Sequence, residues 1–197
     1  MSHDDDPDGR RRFLLRTTAG VGGAYMLAAA YPMLASLAPS ERARAAGAPV
    51  EADIDGLAEG ELRTVAWRGK PVWIMRRTPA ELAALGGHDG LLADPDSKVP
   101  QQPPNCANPT RSIKPSIFVC VGLCTHLGCS PSLRVGETGA ELGANWPGGF
   151  FCPCHGSKFD LAGRVFKGVP APTNLEVPPY RYADAGHIIV GDDKPAA

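Results

Sequence analysis

A chain of 197 residues has room for one domain of ordinary size plus an accessory segment. A net charge of −1 excludes a general attraction to nucleic acid, and six cysteines are too few for a disulfide scaffold but enough for a metal site. With 23 glycines and 20 prolines, the composition leans towards a loop-rich, strand-rich fold.

Residues 1–16 open acidic and then carry Arg10, Arg11, Arg12 and Arg16, just ahead of an uncharged run, Thr17–Ser40. As a helix that run would be about 36 Å long at ~1.5 Å per residue, enough to cross a hydrocarbon core of ~30 Å. Residues 17–40 are therefore expected to form one transmembrane anchor, in which lipid tolerates Pro32 better than water would. The arginines ahead of it, against Arg42 and Arg44 behind, place the N-terminus in the cytoplasm. "RRRFLL" resembles a twin-arginine export signal, with Arg10 and Arg11 as the pair; an ordinary positively flanked anchor is the alternative. "ARA" at Ala43–Ala45 could serve as a cleavage site, but the uncharged run is longer than a signal peptide needs and favours an uncleaved anchor. Residues 41–49, rich in small residues and without an apolar face, read as a flexible hinge.

From residue 50 to 197 the length suits one compact domain. "ELRTVAW" and "PVWIMRR" flank "RGK" and predict a hairpin. "TPAELAALGG", Thr78–Gly87, has a cap, a proline at the first helical position and closing glycines, which predicts a short helix. "SKVPQQPPNCANPTRS" is a long loop without periodicity. "SIFVCVGL" predicts a buried strand, "GGFFCPCHGSKFDLAGRVF" a strand and a hairpin turning at "LAGR", and "VPPYRYADAGHIIVGDD" a last hairpin. The fold class expected is all-β and antiparallel.

Two phrases stand out on that frame, "CTHLGC" at Cys124–Cys129 and "CPCHGS" at Cys152–Ser157. Each offers a thiolate and an imidazole from one loop, Cys124-x-His126 and Cys152-x-x-His155. A zinc site of two cysteines and two histidines is a rival on ligand arithmetic, although such sites more often pair like with like and end on a helical histidine pair. Four disulfide-bonded cysteines are a second rival, and leave two symmetrically placed histidines without a purpose.

The paired phrases resemble the Rieske [2Fe–2S] motif, in the form with a loop-to-loop disulfide. The resemblance implies that Cys124 and Cys152 bind one iron, that His126 and His155 bind the other, and that Cys129 and Cys154 form the disulfide. It implies that Ser157 hydrogen-bonds a cluster sulfide, and it places Phe159 where many high-potential members have a tyrosine that donates to a ligand sulfur. The anchor, the tether, "RSIKPSIFVCVGLCTHLGCSP" and "KGVPAPTNLEVPPY" extend the resemblance over the whole chain, to the iron–sulfur subunits of bacterial cytochrome bc complexes. The resemblance further implies a Rieske-type β head with a cluster-binding part at about 115–175 and a proline loop, Gly168, Pro170 and Pro172, packed around the cluster. It also implies a docking tip at Leu127 and Gly128, and His155 as the hydrogen-bond partner of ubiquinol. Cytochrome b and cytochrome c1 subunits are the implied partners, within a dimeric complex of the bacterial inner membrane, the head being periplasmic. The alternative is the small Rieske subunit of a periplasmic oxidase such as arsenite oxidase.

The residue types suit that chemistry. Two ferric ions, two sulfides and two thiolates sum to zero charge with neutral imidazoles, so an electron is accepted more easily than by an all-thiolate cluster. Potentials accordingly run from roughly −150 to +300 mV, against about −400 mV for plant-type ferredoxins. Outside the motif, Cys120 reads as a small buried residue, with a bond to Cys106 as an alternative. Trp67, Trp73 and Trp146 read as core or platform, and His88 and His187 as surface or turn residues.

Overall fold

Ala, Gly and Thr after the arginines build α1, Pro7–Ala35, a helix of 29 residues with Asp8 in its first turn and Pro32 inside it. Residues 7–143 and 146–192 are described by the computed structural model; the acidic start at 1–6 and the tail at 193–197 lie outside the described residues. Among the described residues no helix is long and apolar enough to cross a membrane. In α1 the arginines fill the early turns, and Gly, Ala and Thr add little apolar surface to the exposed Leu27, Tyr31, Met33 and Leu34. The expected hinge begins with a short helix, α2, Glu41–Ala46, entered where Ser40 Oγ accepts from the Ala43 N–H at 3.1 Å. Contacts divide the chain between residues 45 and 46 into two units.

Among its described residues the second unit holds three antiparallel three-stranded sheets. In the first, β2, Leu62–Trp67, and β3, Lys70–Arg76, are the expected hairpin, and β3 pairs onward with β4, Ile117–Val121. Arg68 (φ 51°) and Gly69 (φ 72°) are both left-handed, as a two-residue loop matching strand twist requires. Every residue of β4 is buried, in line with its unbroken apolar run. The helix expected at Thr78–Gly87 is α3, Pro79–Ala84; Thr78 and Glu81 form a reciprocal capping box, and a 3-10 turn over Leu85–Gly87 closes it. The second sheet places β9, His187–Val190, between β8, Tyr180–Tyr182, and β1, Val50–Asp53.

The third sheet comprises β5, Ser132–Arg134, β6, Gly149–Cys152, and β7, Ser157–Phe159. The chain reverses at "LAGR" as expected, with Phe159 bridging Val165, the Asp160 N–H donating to Arg164 O at 3.0 Å and the Phe166 N–H to Lys158 O at 3.1 Å. The β6–β7 ladder, however, turns earlier, at the second cysteine phrase, where Cys152 opposes Ser157. Gly149 is required at its place because a Cβ there would strike the Phe159 carbonyl. Trp73 stacks on Phe150 at 5.2 Å and Phe118 tilts against it at 6.3 Å, so the first and third sheets share one aromatic core.

Polar groups stitch that core as well. Asp160, wholly buried, accepts from the Ala162 N–H (2.9 Å), the Arg164 N–H (2.8 Å) and Arg164 Nε (2.7 Å), and lies 3.2 Å from His88 Nε2. Burial pushes this carboxyl up, but the His88 contact and the Arg164 charge outweigh it and hold it below the ordinary value. His88 is thus not a surface residue: it is 9% exposed and stacked on Phe166. His187 does lie at the surface, 3.0 Å from Asp184. Cys106 and Cys120 are both buried and unbonded to one another.

Candidate metal centre

Two loops of the same construction carry the cysteine phrases. Strand β4 runs into the first, where the Gly128 N–H donates to Cys124 O at 2.9 Å; β6 ends in the second, where the Gly156 N–H donates to Cys152 O at 2.9 Å. Each is a single helical turn closed from residue i+4 to i. Each closing glycine is left-handed, Gly128 at φ 79° and Gly156 at φ 76°, a conformation a side chain would strain. A further bond, Cys124 N–H to Cys129 O at 2.7 Å, shapes the first loop.

The loops are joined covalently by Cys129–Cys154, whose Cα atoms are 6.7 Å apart. This disulfide matches the one the resemblance implied. Above it His126 and His155 meet edge to face, ring centroids 4.8 Å apart at 85°. His155 and Leu127 are exposed, Leu127 at 72%, whereas Cys124 and Cys152 are buried at 3% and 2%. Burial foremost, and then the neighbouring Cys124, push the Cys152 thiol up, while the backbone N–H groups of Cys154 and His155 pull it down.

A third segment completes the centre. The Ala171 N–H, in the proline loop, donates to Ser157 Oγ at 3.0 Å, and Thr125 Oγ1 donates to Thr173 O at 2.7 Å. Ser157 is wholly buried and Ala171 nearly so. The proline loop therefore binds both phrases, one through Thr125 and the other through Ser157. Sequence reasoning placed this loop by resemblance but did not identify Thr125 as its tie. Phe159 is wholly buried, two residues beyond Ser157 on the same face of β7.

The donor set fits an iron–sulfur centre with mixed ligands. Two buried thiols lie beside each other, and among the described residues neither the His126 ring nor the His155 ring has a hydrogen-bond partner. The sulfurs of Cys129, Cys152 and Cys154 lie within 4.8 Å of one another, but two of them are spent in the disulfide, which leaves Cys152 as the thiolate donor of that trio. A zinc site would need no such staple.

The Rieske [2Fe-2S] domain family matches residues 105–180, which include both phrases and the proline loop. The chain is 56% identical to the ubiquinol–cytochrome c reductase iron–sulfur subunit of Allochromatium vinosum, over 95% of this chain and 91% of that one. It is 42% identical to the subunit of the same name from Blastochloris viridis, over 97% and 98%. The mitochondrial Rieske subunit of the cytochrome b-c1 complex of Neurospora crassa is 41% identical over 73% of this chain and 54% of its own length.

Proposed function

Because the chain belongs to the family of iron–sulfur subunits of ubiquinol–cytochrome c reductase, we infer that it is the electron-transfer subunit of that oxidoreductase, oxidising ubiquinol and passing the electron to a c-type cytochrome. The carrying observation is identity of 56% along nearly the whole chain, joined to a centre of two thiols, two imidazoles and a loop-to-loop disulfide. Relatives that match almost end to end are reductase subunits, which favours this reading over the small subunit of a periplasmic oxidase.

A bound Rieske-type [2Fe–2S] cluster supplies a one-electron acceptor of raised potential. In our reading Cys124 and Cys152 hold one iron as thiolates, and His126 and His155 hold the other as neutral imidazoles. The disulfide and the two bonds to the proline loop, Gly168, Pro170 and Pro172, keep the three segments in register. His155 presents its outer ring nitrogen to solvent; with that nitrogen deprotonated it would accept the quinol hydroxyl's hydrogen bond and then its proton, returning to the neutral imidazole. Leu127 and Gly128 form the apolar tip that seats against the quinol site, and Ser157 donates to the centre from below. Thr17–Ser40 anchors the chain in the inner membrane with the head periplasmic, residues 41–49 act as hinge, and cytochrome b and cytochrome c1 are neighbours in a dimeric complex.

The test is electron paramagnetic resonance of membranes containing the full chain, reduced with ubiquinol, with and without a quinol-site inhibitor. We expect a mixed-ligand cluster signal whose shape the inhibitor alters, and a midpoint potential that is flat at low pH and falls in the alkaline range. Membranes rich in the protein but without that signal would refute the assignment.

A further inference from the structure

We propose that Arg77 and Arg111 set the electron affinity of the metal centre, as buried positive charges that, among the described residues, form no ion pair with a carboxylate. The proposal rests on the reading of the chain as a Rieske electron-transfer subunit and concerns how this particular chain tunes its centre.

Three guanidinium groups are buried, Arg77 at 1%, Arg111 at 0% and Arg164 at 2% exposure, against one buried carboxylate among the described residues, Asp160. Arg164 uses up that carboxylate and reaches Asp89 as well, at 2.8 Å. Arg77 and Arg111 end on neutral oxygens only. Arg77 donates to Pro115 O (2.6 Å), Thr110 O (2.9 Å), Leu161 O (3.1 Å) and Ser112 Oγ (2.7 Å). Arg111 donates to Ala162 O (3.1 Å), Gly163 O (3.3 Å), Leu175 O (2.8 Å), Gln101 O (3.4 Å) and Gln102 Oε1 (2.9 Å). Its Nε, also buried, has no partner.

Both groups stay charged. Burial lowers each guanidinium to about 10, which leaves it protonated at neutral pH. Cys120, which lies close enough to influence both, is itself pushed by burial to about 12 and is no counter-ion. Asp160 lies near enough to attract both groups but is itself paired with Arg164, so among the described residues three buried cations face one buried carboxylate. That excess is a direct way to favour an added electron nearby.

The cations are also near enough. Arg111 touches Leu175 O; two residues back, Thr173 O accepts from Thr125 Oγ1, and Thr125 follows Cys124. That path puts Arg111 at roughly 15 Å from the first cysteine phrase. Arg77 lies 5.1 Å over the Phe118 ring, itself 6.3 Å from Phe150, two residues before Cys152. One unit charge at about 15 Å in a protein interior changes the ratio of oxidised to reduced centre about fivefold, or roughly 40 mV at 59 mV per decade. Both guanidinium groups are buried while Thr125, Thr173 and Gln102 are half-buried, so added salt screens the effect only in part.

Two substitutions separate charge from structure. Gln102→Glu keeps the acceptor beside Arg111 and adds the missing negative charge, while Gln102→Met removes the same amide bonds and adds none. Midpoint potentials are read by redox titration of the full chain in membranes, at low and high salt, with thermal stability alongside. We expect Gln102→Glu to raise the oxidised-to-reduced ratio at the wild-type midpoint about fivefold at low salt and less at high salt, with Gln102→Met unmoved. Equal potentials for the two variants would overturn the proposal, and would leave the arginines as structural clamps. If Gln102→Glu does not accumulate, Ser112→Asp places the carboxylate against Arg77 instead, and the same comparison is made with Ser112→Ala. A wild-type protein without the cluster signal would sink the functional reading and this proposal with it, whereas equal potentials in a protein that shows the signal would sink this proposal alone.

Discussion

Cutting the Cys129–Cys154 bond should loosen the centre although neither sulfur binds iron. The two residues are 25 apart in sequence. In the chain-entropy view, a cross-link closing a loop of that length stabilises the fold by about 3.5 kcal/mol. Serine is nearly isosteric, and Cys129 is only half-buried while Cys154 is exposed, so Cys→Ser strands no deeply buried polar group. The loss therefore reports the cross-link itself. At about 2–4 °C per kcal/mol for a domain of this size, the melting temperature should fall by roughly 7–14 °C. With the two loops free to part, the iron-to-protein ratio should fall too. Each single mutant already loses the whole bond, so Cys129→Ser/Cys154→Ser should be no worse than either alone. Thermal unfolding by circular dichroism and iron analysis of the purified full chain measure both effects. Unchanged melting and full iron in the single mutants, or additive losses in the double mutant, would refute this reasoning.

Ser157→Ala strands the buried Ala171 N–H, at a cost of about 1–3 kcal/mol, and should release the proline loop as well as lower the potential; unchanged protease sensitivity at residues 168–172 would count against it. Asp160→Asn leaves the buried Arg164 with Asp89, more than half exposed, as its remaining carboxylate and should destabilise by about 3 kcal/mol at neutral pH. Because the folded-state carboxyl titrates below its unfolded value of about 3.9, this stability is present above that pH and is lost as pH falls through the lower, folded value. Acid unfolding curves of wild type and mutant should accordingly converge only below about pH 4, and a gap that persisted or grew in acid would contradict the sign. Phe159→Tyr adds a hydroxyl donor on the same strand face as Ser157 and should raise the potential by roughly 40 mV, if about 1 kcal/mol of the bond distinguishes the two redox states; a potential unmoved or lowered would mean the ring does not face the centre.

The local elements were legible in the residues because their physics is short-range, whereas the ligand roles in the two cysteine phrases came from the resemblance. Ligand types at spacings of one to three residues leave little freedom in "CTHLGC" and "CPCHGS". The β2–β3 loop, the Thr78–Glu81 capping box and the apolar run of β4 each depend on neighbours a few positions away. The tertiary structure decided what depends on partners far along the chain. His88 has no neighbour that marks it as buried; its place is set by Asp160, 72 residues on. β1 forms because β9 offers an edge that puts His187 opposite Asp53, and no local pattern in "VEAD" carries that information. The β6–β7 ladder turned at the cysteine phrase, ahead of the turn at "LAGR", because the glycine-closed loop already reverses the chain there, and Arg77, Arg111 and Arg164 hold the "LAGR" turn by its carbonyls and its aspartate. By sequence alone an arginine is expected at the surface, since burying its charge is unfavourable. Only the fold, by converging neutral oxygens on Arg77 and Arg111 and the carboxylates of Asp160 and Asp89 on Arg164, makes their burial possible.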